Sequence, residues 1–235
     1  MESTEKAGYG YIYDNLSRIQ EAILGTAGRL GVPAPRILAV TKSAEVGEVE
    51  ALVRNFGHGL IGENRTSLFN ERYALFEEKE RPEMHLIGSL QTNKVKYIAG
   101  KAALIHSLDS ERLAAEIEKQ AAKRNIKMRV LIEINSAAEE AKGGISIGEA
   151  ERFAEAVKKY EHLALSGVMT MGPVLPRAED YRPYFRETAL VFRSLAERGY
   201  FEGEPVLSMG MSDSYGVAVE EGATLIRVGR ALFVK

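Results

Sequence analysis

Two periods of hydrophobic residues alternate along this chain. From Tyr9 to Leu30, apolar positions at Ile12, Leu16, Ile19, Ile23, Leu24 and Ala27 recur with a helical period, and Gly31-Val32-Pro33 stops it. Arg36-Ile37-Leu38-Ala39-Val40-Thr41 then runs apolar almost without a break, as a strand buried on both faces does, and ends at Lys42. Ser43, Ala44 and Glu45 open a second helical pattern over 46–56, with Val49, Leu52, Val53 and Phe56 on one stripe. The exchange repeats. Strand-like runs at 60–64, 83–88, 104–108, 128–134, 163–169, 204–208 and 224–228 alternate with helical patterns that end near Glu80, Gly100, Asn125, Tyr160, Arg198 and Gly222. Asp109 or Ser110 caps the helix that follows the fourth run.

Eight short strands, each but the last clearly followed by a helix at intervals of roughly 25 to 30 residues, have the spacing of βα units. The pattern predicts an α/β fold, a single (β/α)8 TIM barrel with an extra N-terminal helix, filling residues 1–235 as one domain. A doubly wound open sheet is the second choice, since it has fewer strands and a topological switch. No repeat or low-complexity linker marks a domain boundary.

Composition narrows the function classes. The 235 residues are 45% hydrophobic and 27% charged, which excludes a mainly disordered chain. With 31 basic and 33 acidic residues the formal net charge is −2, so no global field draws the protein to nucleic acid or to an anionic membrane. Without cysteine there is no disulfide framework and no thiolate chemistry. The opening residues MESTEKAGYGYIYD lack the apolar stretch of a signal peptide, and no run reaches membrane-spanning length, so a cytoplasmic location is expected.

In a barrel the strand-end residues become neighbours whatever their distance in sequence. Lys42, Asn64, Gly88-Ser89, Ser107 to Asp109, Asn135, Met169-Thr170, Ser208 to Ser212 and Arg227 to Arg230 should collect at the carboxyl rim, where barrel active sites are built. Strands one and eight meet on closure, which places Lys42 close to Arg227 and Gly229. The loops after strands seven and eight, Ser208-Met209-Gly210-Met211-Ser212 and Val228-Gly229-Arg230, carry the glycines and hydroxyls of a phosphate site. A phosphate there and an amine across the mouth suggest a ligand with both a phosphate and a carbonyl, joined to Lys42 as a Schiff base. Partial burial beside Arg227 would depress the lysine pKa and free the amine. The plainer alternative for Lys42 is a snorkelling surface lysine. Arg227 is harder to explain so, because an arginine inside an apolar strand must find a partner or face a ligand. The four histidines show no paired spacing and no acidic pattern of a metal site, so structural roles and no metal are expected. The methionines read as packing residues, some of them walling the pocket.

The stretches ILAVTKS, IGENRTS, HLIGSLQTNK, IHSLDS, INSAAEEAKGGIS, SGVMTMG and LSMGMSDSYGVAVEEGATLIRVGRALF resemble, in order and over nearly the whole chain, the pyridoxal phosphate homeostasis proteins, relatives of the amino-terminal barrel of alanine racemase. The resemblance implies that Lys42 holds pyridoxal 5′-phosphate as an internal aldimine. It implies that Ser208 or Ser212 and the backbone of Gly229 and Arg230 hold the phosphate. Arg227 would face the pyridine nitrogen, and Asn64 and Met171 would border the ring. Two positions depart from the usual pattern: Met84 stands where an aromatic residue is usual, and Ser214 where a second acid is.

The resemblance further implies a carrier in vitamin B6 balance, with no catalytic residue of its own and with pyridoxal phosphate-dependent apoenzymes as recipients. A racemase needs two bases on opposite faces. In alanine racemase the second comes from an additional β domain, for which the chain, ending soon after its eighth strand, is expected to have no room. A pyridoxal phosphate-dependent amino-acid racemase, or a Schiff-base aldolase acting on a phosphorylated substrate, stands as the enzymatic alternative. A monomer or weak dimer is expected.

Overall fold

Eight parallel strands pair in sequence order and the eighth pairs back with the first, closing a barrel. The computed structural model describes residues 8–137 and 143–235; Lys142 and its neighbours in the glycine-bearing loop lie outside them, as does the amino-terminal stretch MESTEKA. The strands are β1 (Arg36–Val40), β2 (Leu60–Glu63), β3 (Glu83–Leu86), β4 (Leu104–Leu108), β5 (Met128–Ile134), β6 (Leu163–Thr170), β7 (Val206–Ser208) and β8 (Leu225–Val228). The helices are α1 (Gly10–Leu30), α2 (Val46–Glu50), α3 (Thr66–Ala74), α4 (Glu111–Ala122), α5 (Ala150–Val157), α6 (Arg182–Glu197), α7 (Tyr215–Glu220) and α8 (Arg230–Phe233). A 3-10 segment, Thr92–Tyr97, joins β3 to β4. The sequence pattern for the (β/α)8 barrel is therefore met strand by strand.

The differences have local causes. The helix expected to reach Glu80 stops at Ala74, because the Arg81 guanidinium takes up the Tyr73 and Phe76 carbonyls at 3.2 and 3.0 Å and terminates the ladder. The helix expected over 46–56 is α2 continued by a π-helical turn, Ala51–Asn55. β7 starts at Val206 rather than 204, since Pro205 has no N–H to give the sheet.

Strand parity decides what each side chain touches. On β1, Ile37 and Ala39 pack outward among the helices, while Leu38 points into the barrel against Leu60 and Leu225. The outer layer is continuous, with Ile61, Leu86, Ile105, Ile132, Val168, Leu207 and Ile226 under the helices. The lumen is not. Its apolar residues form two separate patches, Leu38, Leu60 and Leu225 on one wall and Leu104, Leu131 and Met169 on the other, with half-buried Val206 touching both. Polar side chains occupy the space between.

The extra helix α1 packs on α7 and α8, covering the seam where the last strand meets the first. The Asn15 amide donates to the Leu232 and Val234 carbonyls at 3.1 and 2.8 Å, so α1 satisfies the end of the chain's last helix.

Candidate functional site

Every second residue of β1 faces the lumen, so the parity of Leu38 and Val40 carries on to Lys42, two residues past the strand end. Lys42 is exposed at the rim and makes no hydrogen bond or ion pair among the described residues. The partial burial expected of it is not observed: β1 ends at Val40 and the lysine stands clear of the wall. Its loop is nonetheless fixed from below. The Thr41 hydroxyl donates to the fully buried Glu63 carboxylate, and Arg72 of α3 lies 3.8 Å from Glu63 and donates to the Ala44 carbonyl at 2.5 Å. Burial raises the Glu63 pKa, opposed by Thr41 and Arg72.

β8 runs beside β1 with Arg227 level with Leu38 and Val228 level with Ala39. Gly229 continues that register against Val40: a β-carbon at Gly229 would lie 3.0 Å from the Val40 carbonyl oxygen and 3.3 Å from its Cβ. A side chain there would press on Val40, so glycine suits the close approach of the two segments. Arg227, at 4% exposure, projects into the lumen from four residues below the level of Lys42. Its Nη1 donates to the Ser208 carbonyl at 2.9 Å and to Ser208 Oγ at 2.7 Å; its Nη2 donates to the Thr170 carbonyl at the rim end of β6 at 2.8 Å. A guanidinium has five N–H donors, so donor capacity is left over. Burial lowers its pKa to about 10, with Glu133 acting in the opposite sense, and it remains charged at neutral pH.

The two serines proposed for phosphate differ in placement. Ser208 is fully buried and already engaged by Arg227 and, at 3.1 Å, by His106 Nδ1. Ser212 is half-buried at the rim, where its Oγ accepts from the Ala231 amide at 3.2 Å and joins the loops after β7 and β8. Gly210 makes the turn between them: its φ is +87°, and a β-carbon there would come within 2.4 Å of Ala218 Cβ. Arg230 is exposed and paired with Asp213. The Gly229 and Arg230 amides donate to no backbone carbonyl among the described residues.

Asn64 follows β2 with lumen parity. It is half-buried, and its side-chain Oδ1 is inaccessible and has no hydrogen-bond partner. Gly88, the glycine of GSLQTNK, explains its placement, because a β-carbon there would lie 2.1 Å from the Asn64 carbonyl oxygen. The Ser107 hydroxyl in turn donates to the Gly88 carbonyl at 2.7 Å, locking the β2, β3 and β4 ends together. Met171 shares the parity of the lumen-facing Met169 and is 44% exposed at the mouth. The rim thus brings together Lys42, Asn64, Met171, Ser212, Gly229 and Arg230, with Arg227 and Ser208 one level deeper.

Sequence reasoning missed Glu133 and the meeting of His85 with His106. Glu133 faces the lumen from β5, half-buried; burial and then Asp109 push its pKa up to about 7, against Arg227. The signal was present, since Arg129, Leu131 and Glu133 share the face opposite Val130 and Ile132, and two charges on one face of a barrel strand must enter the lumen. His85 Nδ1 and His106 Nε2 are 3.0 Å apart across neighbouring strands, a pairing that spacing in sequence cannot show. Among the described residues no helix is long and apolar enough to cross a membrane.

The family described as "Alanine racemase, N-terminal domain" matches residues 14–235. A "Pyridoxal phosphate homeostasis protein" of Aquifex aeolicus is 43% identical over 218 residues, 93% of this chain and 93% of that one. A structure of an unknown protein from Bifidobacterium adolescentis superimposes with a TM-score of 0.85 at 31% identity, covering 97% of this chain and 96% of that one. PipY of Synechococcus elongatus PCC7942, solved with PLP bound, has a TM-score of 0.78 at 24% identity, covering 95% of this chain and 100% of that one.

Proposed function

Since the chain belongs to the alanine racemase N-terminal-domain family and, within it, to the pyridoxal phosphate homeostasis proteins, we propose that it binds pyridoxal 5′-phosphate at the carboxyl rim through Lys42. It serves intracellular vitamin B6 balance as a reversible holder of the cofactor, and passes it to apoenzymes, rather than turning over a substrate. The observation that carries this reading is a buried, charged arginine with spare donors at the floor of the mouth, beneath an unpaired lysine at its rim.

When bound, the cofactor supplies an aldehyde that condenses with an amine, and an electron-withdrawing ring. The residues present fit such a ligand. Lys42 is engaged by no other side chain among the described residues, so a ligand has nothing to displace there. Ser212 and the Gly229 and Arg230 amides would hold the phosphate, where the Gly229 contact with Val40 lets the backbone close in. Arg227 would direct its remaining N–H groups at the ring nitrogen. A permanent cation there disfavours protonation of that nitrogen and leaves the ring a weaker electron sink than one facing a carboxylate. Half-buried Asn64 would border the ring, and Met171 would cover a ring face.

The test is direct. Protein incubated with pyridoxal phosphate should show absorbance at the edge of the visible. After borohydride it should carry a stable mass increment on the Lys42 peptide, and Lys42→Ala should lose both. A label on another lysine, or undiminished labelling of Lys42→Ala, would overturn the assignment. Rapid loss of optical activity from L-alanine would reject the holder in favour of a racemase.

A further inference from the structure

The polar side chains that divide the lumen form an unbroken hydrogen-bonded chain. Arg227 Nη1 donates to Ser208 Oγ at 2.7 Å, and Ser208 Oγ is 3.1 Å from His106 Nδ1. His106 Nε2 is 3.0 Å from His85 Nδ1, and His85 Nε2 is 2.8 Å from Glu83 Oε1. Glu83 Oε2 accepts from Arg36 Nη2 at 2.6 Å. Ser208 and His106 are sealed at 0% exposure, and His85, at 1%, borders the open end. The far end is open: Arg36, Glu83 and His85 line a cavity of about 540 Å³ at the amino ends of the strands, together with Arg129.

The ends fix the direction of every link. An arginine only donates and an ionised carboxylate only accepts. Glu83 is held at about 2 by the His85 hydrogen bond and, beyond that, by Arg36, so it is ionised and His85 must give it the Nε2 proton. His85 meets Glu83 on its own strand, Arg36 from β1, His106 from β4 and Arg129 from β5; His106 meets His85 and Arg227. Burial depresses both histidine pKa values, in His85 against the Glu83 carboxylate and in His106 reinforced by His85 and Arg227, and so favours the neutral form of both rings. A neutral His85 with its proton on Nε2 accepts at Nδ1. His106 therefore donates from Nε2, accepts at Nδ1, and receives the Ser208 hydroxyl proton, while Ser208 Oγ accepts from Arg227. No other arrangement satisfies all five groups with both rings neutral.

We propose that Glu83, His85, His106 and Ser208 are positioning residues for Arg227, a one-directional relay from the base of the barrel that holds its guanidinium in the orientation presented to the cofactor's ring nitrogen. Only the last link, from Arg227 to the ring, rests on the cofactor reading above. The relay also reports on the base. A proton taken from solvent by His85 would make both its nitrogens donors, so the His106 proton would have to sit on Nδ1 instead of Nε2, facing Ser208. A charge change beside Arg36 and Arg129 is thereby felt at the group that anchors Arg227.

The test begins without cofactor. In protein labelled with 15N-histidine, long-range proton–nitrogen correlations, assigned with His85→Gln and His106→Gln, should show both rings as neutral Nε2–H tautomers that do not titrate around neutral pH. An Nδ1–H tautomer or an ordinary titration at either ring overturns the relay. Glu83→Gln, at the base, should then shift the His106 nitrogens two links away; unmoved signals would also overturn it. In the loaded protein the same variant should shift the absorbance maximum and speed cofactor loss by about fivefold, the low end of measured couplings between separated sites. Ser208→Ala should behave likewise and Ser208→Thr should restore the parent values. If the nitrogens shift but neither spectrum nor retention changes, the positioning role falls. If the parent protein takes up no pyridoxal phosphate, the cofactor reading falls and the tautomer measurement still decides the relay.

Discussion

Glu133 is a half-buried carboxylate in the lumen with no hydrogen-bond partner among the described residues. Its pKa, pushed up to about 7 by burial and Asp109, means that the folded protein binds a proton there more tightly than the unfolded chain does. The contribution to stability is full below the ordinary carboxylate pKa and is lost as pH rises through about 7, so above that the charged group destabilises the fold. Glu133→Gln should therefore raise the melting temperature at pH 8, by the equivalent of about 3 kcal/mol at most, with the gain shrinking towards pH 5. Melts of both proteins at the two pH values check this, and an equal gain at both would refute it. At this scale the sequence was partly legible. Lys42, Arg227 and Gly229 follow from strand ends and from the closure of strand eight on strand one. The engagement of Ser208 with Arg227 and His106 did not, because it depends on which lumen residues share a level, and β4 and β5 both carry register shifts, between Ile105 and Leu108 and between Val130 and Ile132.

The loop that bears Lys42 owes its placement to elements on either side. Thr41 just past β1, Glu63 at the end of β2 and Arg72 on α3 form a buried polar cluster, and Arg72 reaches on to the Ala44 carbonyl. Because Glu63 is fully buried, removing Arg72 leaves a carboxylate without its cation. Arg72→Ala should lower stability by about 3 to 5 kcal/mol, the usual effect of breaking a buried pair, as measured by urea unfolding. A loss under about 1 kcal/mol would show that the cluster does not hold this loop. Element types were legible from hydrophobic period alone, because long apolar runs and stripes report burial directly. Several ends were not, since they depend on side chains arriving from elsewhere, as Arg81 does at the end of α3.

Across the whole molecule, closure is secured outside the sheet as well as within it. Asn15 of α1 feeds both its amide hydrogens to carbonyls at the end of the chain, bridging the first helix to the last over the β8–β1 seam. Asn15→Ala would leave two carbonyls short of a donor and should cost about 1 to 3 kcal/mol, read from thermal or chemical unfolding; an unchanged midpoint would mean that water replaces the amide freely. The barrel was predictable because eight runs at βα spacing admit few closed arrangements. The divided lumen was not, because it follows from how far each strand is displaced along its neighbour. That division has an evolutionary consequence. Replacing any one of Glu83, His85, His106, Ser208 or Arg227 by an aliphatic residue strands a buried partner, whereas an oily interior of matching shape would be tolerated. Descendants of this barrel can therefore keep the whole file of polar groups or abandon it in concert, and intermediates that drop a single member should be the rarest and least stable forms.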